Sequence, residues 1–302
     1  MFMSHGNLAL SSLALKPQKA TPMEKRNTFA DWAFYDVSDL NEAEFNALAA
    51  QHSNEGSILI VEPSGVADEI CIRKFDGHAE MLAEPGDMIQ HFAIAGVGSS
   101  DVGAAALART RANQLDMPVG AIVAGYGMAD IMQEALGGWF FFGAANRAQA
   151  WFDENKPELS ASEIASLRAS GEDLAVKLDK VPSDTRTLLK LLTDEGREVK
   201  SLLGHSKGCL SIAFALNAIR DMGGAAAIAP YADIEVITAG AVCEMPEEMT
   251  RLRQYLGAID WFGGMNSIHS VDHIKVPNAW HHVNTELPFH MNLSEVLIGR
   301  YD

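Results

Sequence analysis

Near residue 200 the chain runs Val199-Lys200-Ser201-Leu202-Leu203-Gly204-His205-Ser206-Lys207-Gly208-Cys209-Leu210, and this stretch constrains the fold more than any other. A short apolar run comes first, then a G-x-S-x-G turn. A stripe at helical spacing follows: Leu210, Ala213, Phe214 and Ala218, widened by Leu216 and Ile219. Strand, sharp turn and helix in that order lift Ser206 clear of the backbone, at the positive end of the helix. The flanking glycines suit a turn where strand and helix pass too closely for a Cβ. Three fixed small residues alone occur by chance in roughly one chain in ten of this length. The strand before and the helix after make Ser206 a candidate nucleophile rather than an inert turn residue.

An α/β architecture is expected around that turn. Asn41 to His52 has helical spacing, and two apolar runs, Ser57 to Glu62 and Glu69 to Phe75, flank a turn-rich segment in the manner of a hairpin. From Ile89 onward strands and helices alternate. Strands are expected at 89–96, 119–125, 199–203, 234–242, 254–259 and 274–280. Asp101 caps a helix over Val102 to Leu115, and a closing helix spans Leu293 to Leu297. Strands separated by helices predict a doubly wound, mostly parallel sheet, with catalytic groups at the carboxyl ends of the strands.

One interval breaks the rhythm. About 70 residues lie between Gly125 and the serine strand, where a single crossover needs far fewer. The cluster Trp139-Phe140-Phe141-Phe142 and the polar helical stretches Ser160 to Lys180 and Ser183 to Glu195 read as a cap inserted at about 128–197, over the site. Residues 1–27 read as an N-terminal arm, and 28–302 as one domain carrying the cap.

Charge and cysteine usage exclude several classes. A formal net charge of -17 argues against nucleic acid and anionic membrane surfaces, both of which want basic patches. Cys71, Cys209 and Cys243 are odd in number and contain no C-x-x-C pair, so neither a disulfide framework nor a zinc site is indicated. No metal or organic cofactor is expected. No uninterrupted apolar run reaches about 18 residues, so no membrane span is expected. Without a basic leader or cleavage site, the cytoplasm is the expected compartment; self-association stays open. Gly96-Val97-Gly98 fails as a dinucleotide loop because Asp101 stands where the third glycine belongs, and no phosphate-binding P-loop pattern exists.

A serine hydroxyl needs a base to take its proton and a carboxylate to orient that base. In a doubly wound sheet these partners follow the serine, acid first and then histidine, each at a strand end. Leu256-Gly257-Ala258-Ile259-Asp260 offers Asp260, with Glu244 after the preceding strand as the alternative acid. Val276-Pro277-Asn278-Ala279-Trp280-His281-His282 offers His281, with His282 and then His290 as alternatives. An oxyanion hole needs backbone N–H donors. The expected ones are Lys207 and, from the loop after the first parallel strand, Val97 or Gly98, with Gly125-Tyr126-Gly127 in reserve.

At these residues the chain resembles the α/β-hydrolase superfamily, whose members commonly carry G-x-S-x-G, a Gly-x-x-Asp strand end and an apolar-Pro-x-x-Gly-His turn. Gly257 to Asp260 matches the second element and Val276 to Pro288 the third, with Trp280 in place of the usual glycine. The resemblance covers roughly residues 89 to 302. It implies a serine hydrolase of carboxylic esters acting through an acyl-serine intermediate, with Ser206, Asp260 and His281 as the triad. Trp139, Phe140 and Trp261 are expected to line a pocket for a small-molecule ester with an apolar acyl group. An acyltransferase or thioesterase on the same triad, and a non-catalytic binding protein on the same fold, are the alternatives.

Overall fold

In the computed structural model, which describes residues 31–51, 53–65, 70–83, 89–96, 98–124 and 183–302, the apolar runs pair into one eight-stranded sheet. The strands are β1 (Ile58–Val61), β2 (Ile72–Phe75), β3 (His91–Ile94), β4 (Val119–Ile122), β5 (Ser201–His205), β6 (Glu235–Ala239), β7 (Leu252–Gly257) and β8 (Ile274–Val276). Their spatial order is β2-β1-β4-β3-β5-β6-β7-β8. All pairs from β4 through β8 are parallel. β1 runs antiparallel to both neighbours, with Ile58 opposite Phe75 on one side and Ile122 on the other. The fold is therefore α/β with a mixed, mostly parallel sheet.

Helices α1 (Glu42–Ala49), α2 (His78–Ala83), α3 (Asp101–Leu115), α4 (Ser183–Thr193), α5 (Lys207–Ile228), α6 (Trp261–Met265) and α7 (Leu293–Leu297), with 3-10 turns at Val37–Asp39 and Ala229–Tyr231, complete the described elements. Alternation along the strands sends side chains into two separate cores. Leu59, Val61 and Ala93 join the alanines of α3 and the leucines of α7 on one face. Ile58, Ile60, Phe92 and Ile94 join α4 and α5 on the other. The alanines suit α3 to close approach on the sheet. A buried pair between Arg109 Nη2 and Glu44 Oε1, 2.5 Å apart, ties α1 to α3. Helix α5 with the turn after it, Lys207–Tyr231, is long and apolar enough by length and composition to cross a membrane. It packs against β5 and α4, burying Cys209, Ile212, Ala215, Leu216 and Ile219.

Two expectations are corrected here. The N-cap of α3 is Ser100, whose side chain accepts from the Val102 N–H; Asp101 is the first helical residue and pairs with Lys74 at 2.6 Å. Of the expected cap, residues 183–193 form α4 in the core layer instead, and 194–197 are the turn that leads from it toward β5. Leu188, Leu189, Leu191 and Leu192 share one face of α4 and are buried against the sheet and α5, so α4 is the crossover helix that delivers the chain to β5. The rest of the cap and the N-terminal arm lie outside the described residues.

Candidate active site

The carboxyl ends of β3, β5, β6, β7 and β8 converge on one edge of the sheet, and the candidate residues stand there. Ser206 follows β5 directly and adopts φ 54°, ψ -119°, a conformation L side chains rarely take. Two approaches enforce the turn. A Cβ on Gly204 would lie 2.8 Å from the Cys209 nitrogen, and one on Gly208 would lie 2.0 Å from the Ile94 carbonyl oxygen. Helix α5 thus crosses so close to β3 and β5 that only glycine fits at either side of the serine.

Asp260 ends the turn after β7 and caps α6, its Oδ1 accepting from the Gly263 N–H at 2.6 Å. Its Oδ2 lies 2.8 Å from His281 Nδ1, and His281 Nε2 lies 2.9 Å from Ser206 Oγ. Carboxylate, imidazole and hydroxyl form one unbroken line, and all three residues are buried. The His281 ring is enclosed edge-on by Phe262 (centroids 4.7 Å apart) and Phe34 (6.0 Å), with the His205 ring at 5.2 Å. Its loop is braced by the Trp280 N–H on the Phe289 carbonyl and the Met291 N–H on the His282 carbonyl.

The alternatives stand elsewhere. Glu244 is exposed in the segment following β6, where its carbonyl accepts from Asn217. His282 turns away, with Nε2 3.1 Å from the Pro288 carbonyl, and burial lowers its pKa. His290 sits against the Leu287 carbonyl. The buried thiols of Cys209 and Cys243 are pushed up by burial, the latter to about 12, so neither offers a competing thiolate.

As the first residue of α5, Lys207 has an N–H without an intrahelical acceptor, pointing out of the helix end beside Ser206. Its side chain is anchored: Nζ lies 3.1 Å from Asp184 Oδ2, 3.3 Å from Glu55 Oε1 and 3.4 Å from the Ala124 carbonyl. Burial alone would lower its pKa, but the two carboxylates outweigh that and raise it. The ammonium therefore pins the elbow to α4 and the end of β4. Gly98 takes a positive φ of 77°, while Val97, Trp139, Phe140 and residues 125–127 lie outside the described residues. Trp261 is 64% exposed, next to Phe262 on α6. Among the described residues no cluster of three His, Cys, Asp or Glu side chains is placed to hold a metal ion.

Sequence reasoning missed the short segment 31–35. Phe34 stacks on Trp280 with ring centroids 6.5 Å apart. Asp31 accepts from the Ser100 N–H at 3.0 Å and from its hydroxyl. Tyr35 accepts from the Gly96 N–H at 2.6 Å and contacts His205. The density of aromatic residues in Trp32-Ala33-Phe34-Tyr35 was the available signal. No protein-family model matches this chain, and no curated protein or solved structure is significantly similar to it.

Proposed function

We propose that this chain is a serine hydrolase that cleaves carboxylic esters on an α/β-hydrolase plan. The observation that carries the reading is the line Asp260–His281–Ser206, at 2.8 and 2.9 Å, on a serine held at φ 54°. With its Nδ1–H donated to Asp260, His281 presents an Nε2 lone pair to the serine hydroxyl, the tautomer a general base requires. Ser206 Oγ attacks the ester carbonyl as Nε2 takes its proton. The negative charge that develops on the carbonyl oxygen faces the Lys207 N–H, with Gly98 of the opposing loop as the candidate second donor. His281 then returns the proton to the departing alcohol, leaving an acyl-serine. Water, deprotonated by the same Nε2, releases the acid and regenerates the hydroxyl.

Apolar walls favour an apolar acyl group. Phe262 and Phe34 stand edge-on against the base, and Trp261 lies exposed beside Phe262. The test is pre-steady-state turnover of p-nitrophenyl esters of increasing chain length. A burst of nitrophenol equal to the enzyme concentration, absent in Ser206→Ala, supports the acyl-serine route. Linear release that survives in Ser206→Ala refutes it.

A further inference from the structure

A second buried line of hydrogen bonds ends on the same histidine. The Gly96 N–H donates to Tyr35 Oη at 2.6 Å; Tyr35 Oη lies 2.9 Å from His205 Nδ1; His205 Nε2 lies 2.9 Å from the backbone carbonyl of His281. A carbonyl only accepts, so Nε2 carries the hydrogen. Burial and the neighbouring His281 hold His205 neutral, with its pKa lowered to about 3, so Nδ1 is an acceptor and the Tyr35 hydroxyl is its donor. The phenol oxygen keeps its lone pairs for the Gly96 amide and the Ser99 side chain. Each donor meets one acceptor, and Tyr35, His205 and His281 are 3%, 1% and 2% exposed.

The two ends of this line are the two sides of the site. At one end is the backbone of the residue that carries the base. At the other is the loop after β3, which is pressed against the serine: a Cβ on Gly96 would lie 3.0 Å from Tyr35 Oη and 3.1 Å from Ser206 Cβ.

We propose that Tyr35 and His205 are positioning residues for the Ser206 site, holding the His281 backbone and the Gly96 loop in register through one directional hydrogen-bond line. The proposal rests on the serine-hydrolase reading. Neither side chain reaches the reacting atoms; both act through groups that do. Losing the Tyr35 hydroxyl leaves Gly96 N–H and His205 Nδ1 without their partners in a dry interior, so the loop and the imidazole relax apart. Displacement of catalytic groups by about an ångström costs on the order of 100-fold in rate.

The experiment compares Tyr35→Phe, His205→Gln and His205→Leu with the parent chain on p-nitrophenyl butyrate. Active sites are counted by fluorophosphonate titration, so molecules that have not folded drop out of the rate. Tyr35→Phe is expected to lose roughly 10- to 100-fold in kcat per titrated site, with KM changed by less than about threefold. His205→Gln, whose amide can donate to the His281 carbonyl, is expected to recover most of the kcat that His205→Leu loses. Parent-like kcat per site in Tyr35→Phe, or His205→Gln as impaired as His205→Leu, overturns the proposal alone. A folded parent chain that takes no label overturns the hydrolase reading and this proposal with it.

Discussion

Replacing Ser206 by glycine should leave a more stable protein than replacing it by alanine, the reverse of the usual order. Both variants delete Oγ and with it the 2.9 Å hydrogen bond to His281, a loss of about 1 kcal/mol that cancels between them. What differs is the backbone. At φ 54°, ψ -119° an L residue carries about 1–3 kcal/mol of strain that glycine does not. Against this, glycine loses about 0.5–1 kcal/mol more conformational entropy on folding. The balance favours Ser206→Gly over Ser206→Ala by about 0.5–2 kcal/mol. In a domain of this size that is a melting temperature higher by about 1–4 °C. Thermal melts and urea titrations of the two variants, compared at equal m-value, measure the difference. An alanine variant as stable as the glycine one would show that the serine sits in an unstrained turn, and the elbow geometry would fall with it.

Three further outcomes follow. Asp260→Asn keeps an Oδ1 acceptor for the Gly263 N–H but no longer fixes the His281 tautomer, so kcat on an ester should fall about 10⁴-fold with the fold intact; a loss under tenfold would remove Asp260 from the line. Gly208→Ala forces a Cβ to within 2.0 Å of the Ile94 carbonyl, and the backbone shift needed should cost about 2–3 kcal/mol in urea unfolding, whereas a midpoint within error of the parent contradicts the close crossing. Burial pushes the Asp31 carboxyl from its ordinary 3.8 up to about 7, so between those pH values the folded chain holds a proton that the unfolded chain releases. Its contribution is full below about pH 4 and is lost as pH rises toward 7, by up to about 4 kcal/mol. Asp31→Asn, which keeps an acceptor for Ser100, should flatten that slope; urea midpoints at pH 4.5 and 7.5 that fall equally in both proteins would contradict it.

What could be read from the sequence is what is local or ordered along the chain. The elbow is encoded within a dozen residues, by an apolar run, two glycines and a helical stripe. Asp260 and His281 could be located because each lies in the turn after its own strand and they follow the serine in order. The choice between His281 and His282 was not legible as a spacing, because it depends on how distant backbone groups brace their loop. Tyr35 and the anchoring of Lys207 by Asp184 and Glu55 were hidden for the same reason: their partners are remote in sequence. The antiparallel seat of β1 between β2 and β4 likewise arises from strand order, which no local pattern carries. Helix α4 is different. Its four leucines at helical spacing were visible, and their apolar face outweighs the polar residues that suggested a cap.

Intact mass after treatment with a fluorophosphonate tests the central claim most directly. The natural chain should gain one adduct, and Ser206→Ala, equally folded, should gain none. A folded natural chain that stays unmodified, or an adduct that persists in Ser206→Ala, would contradict an activated serine at the β5–α5 turn.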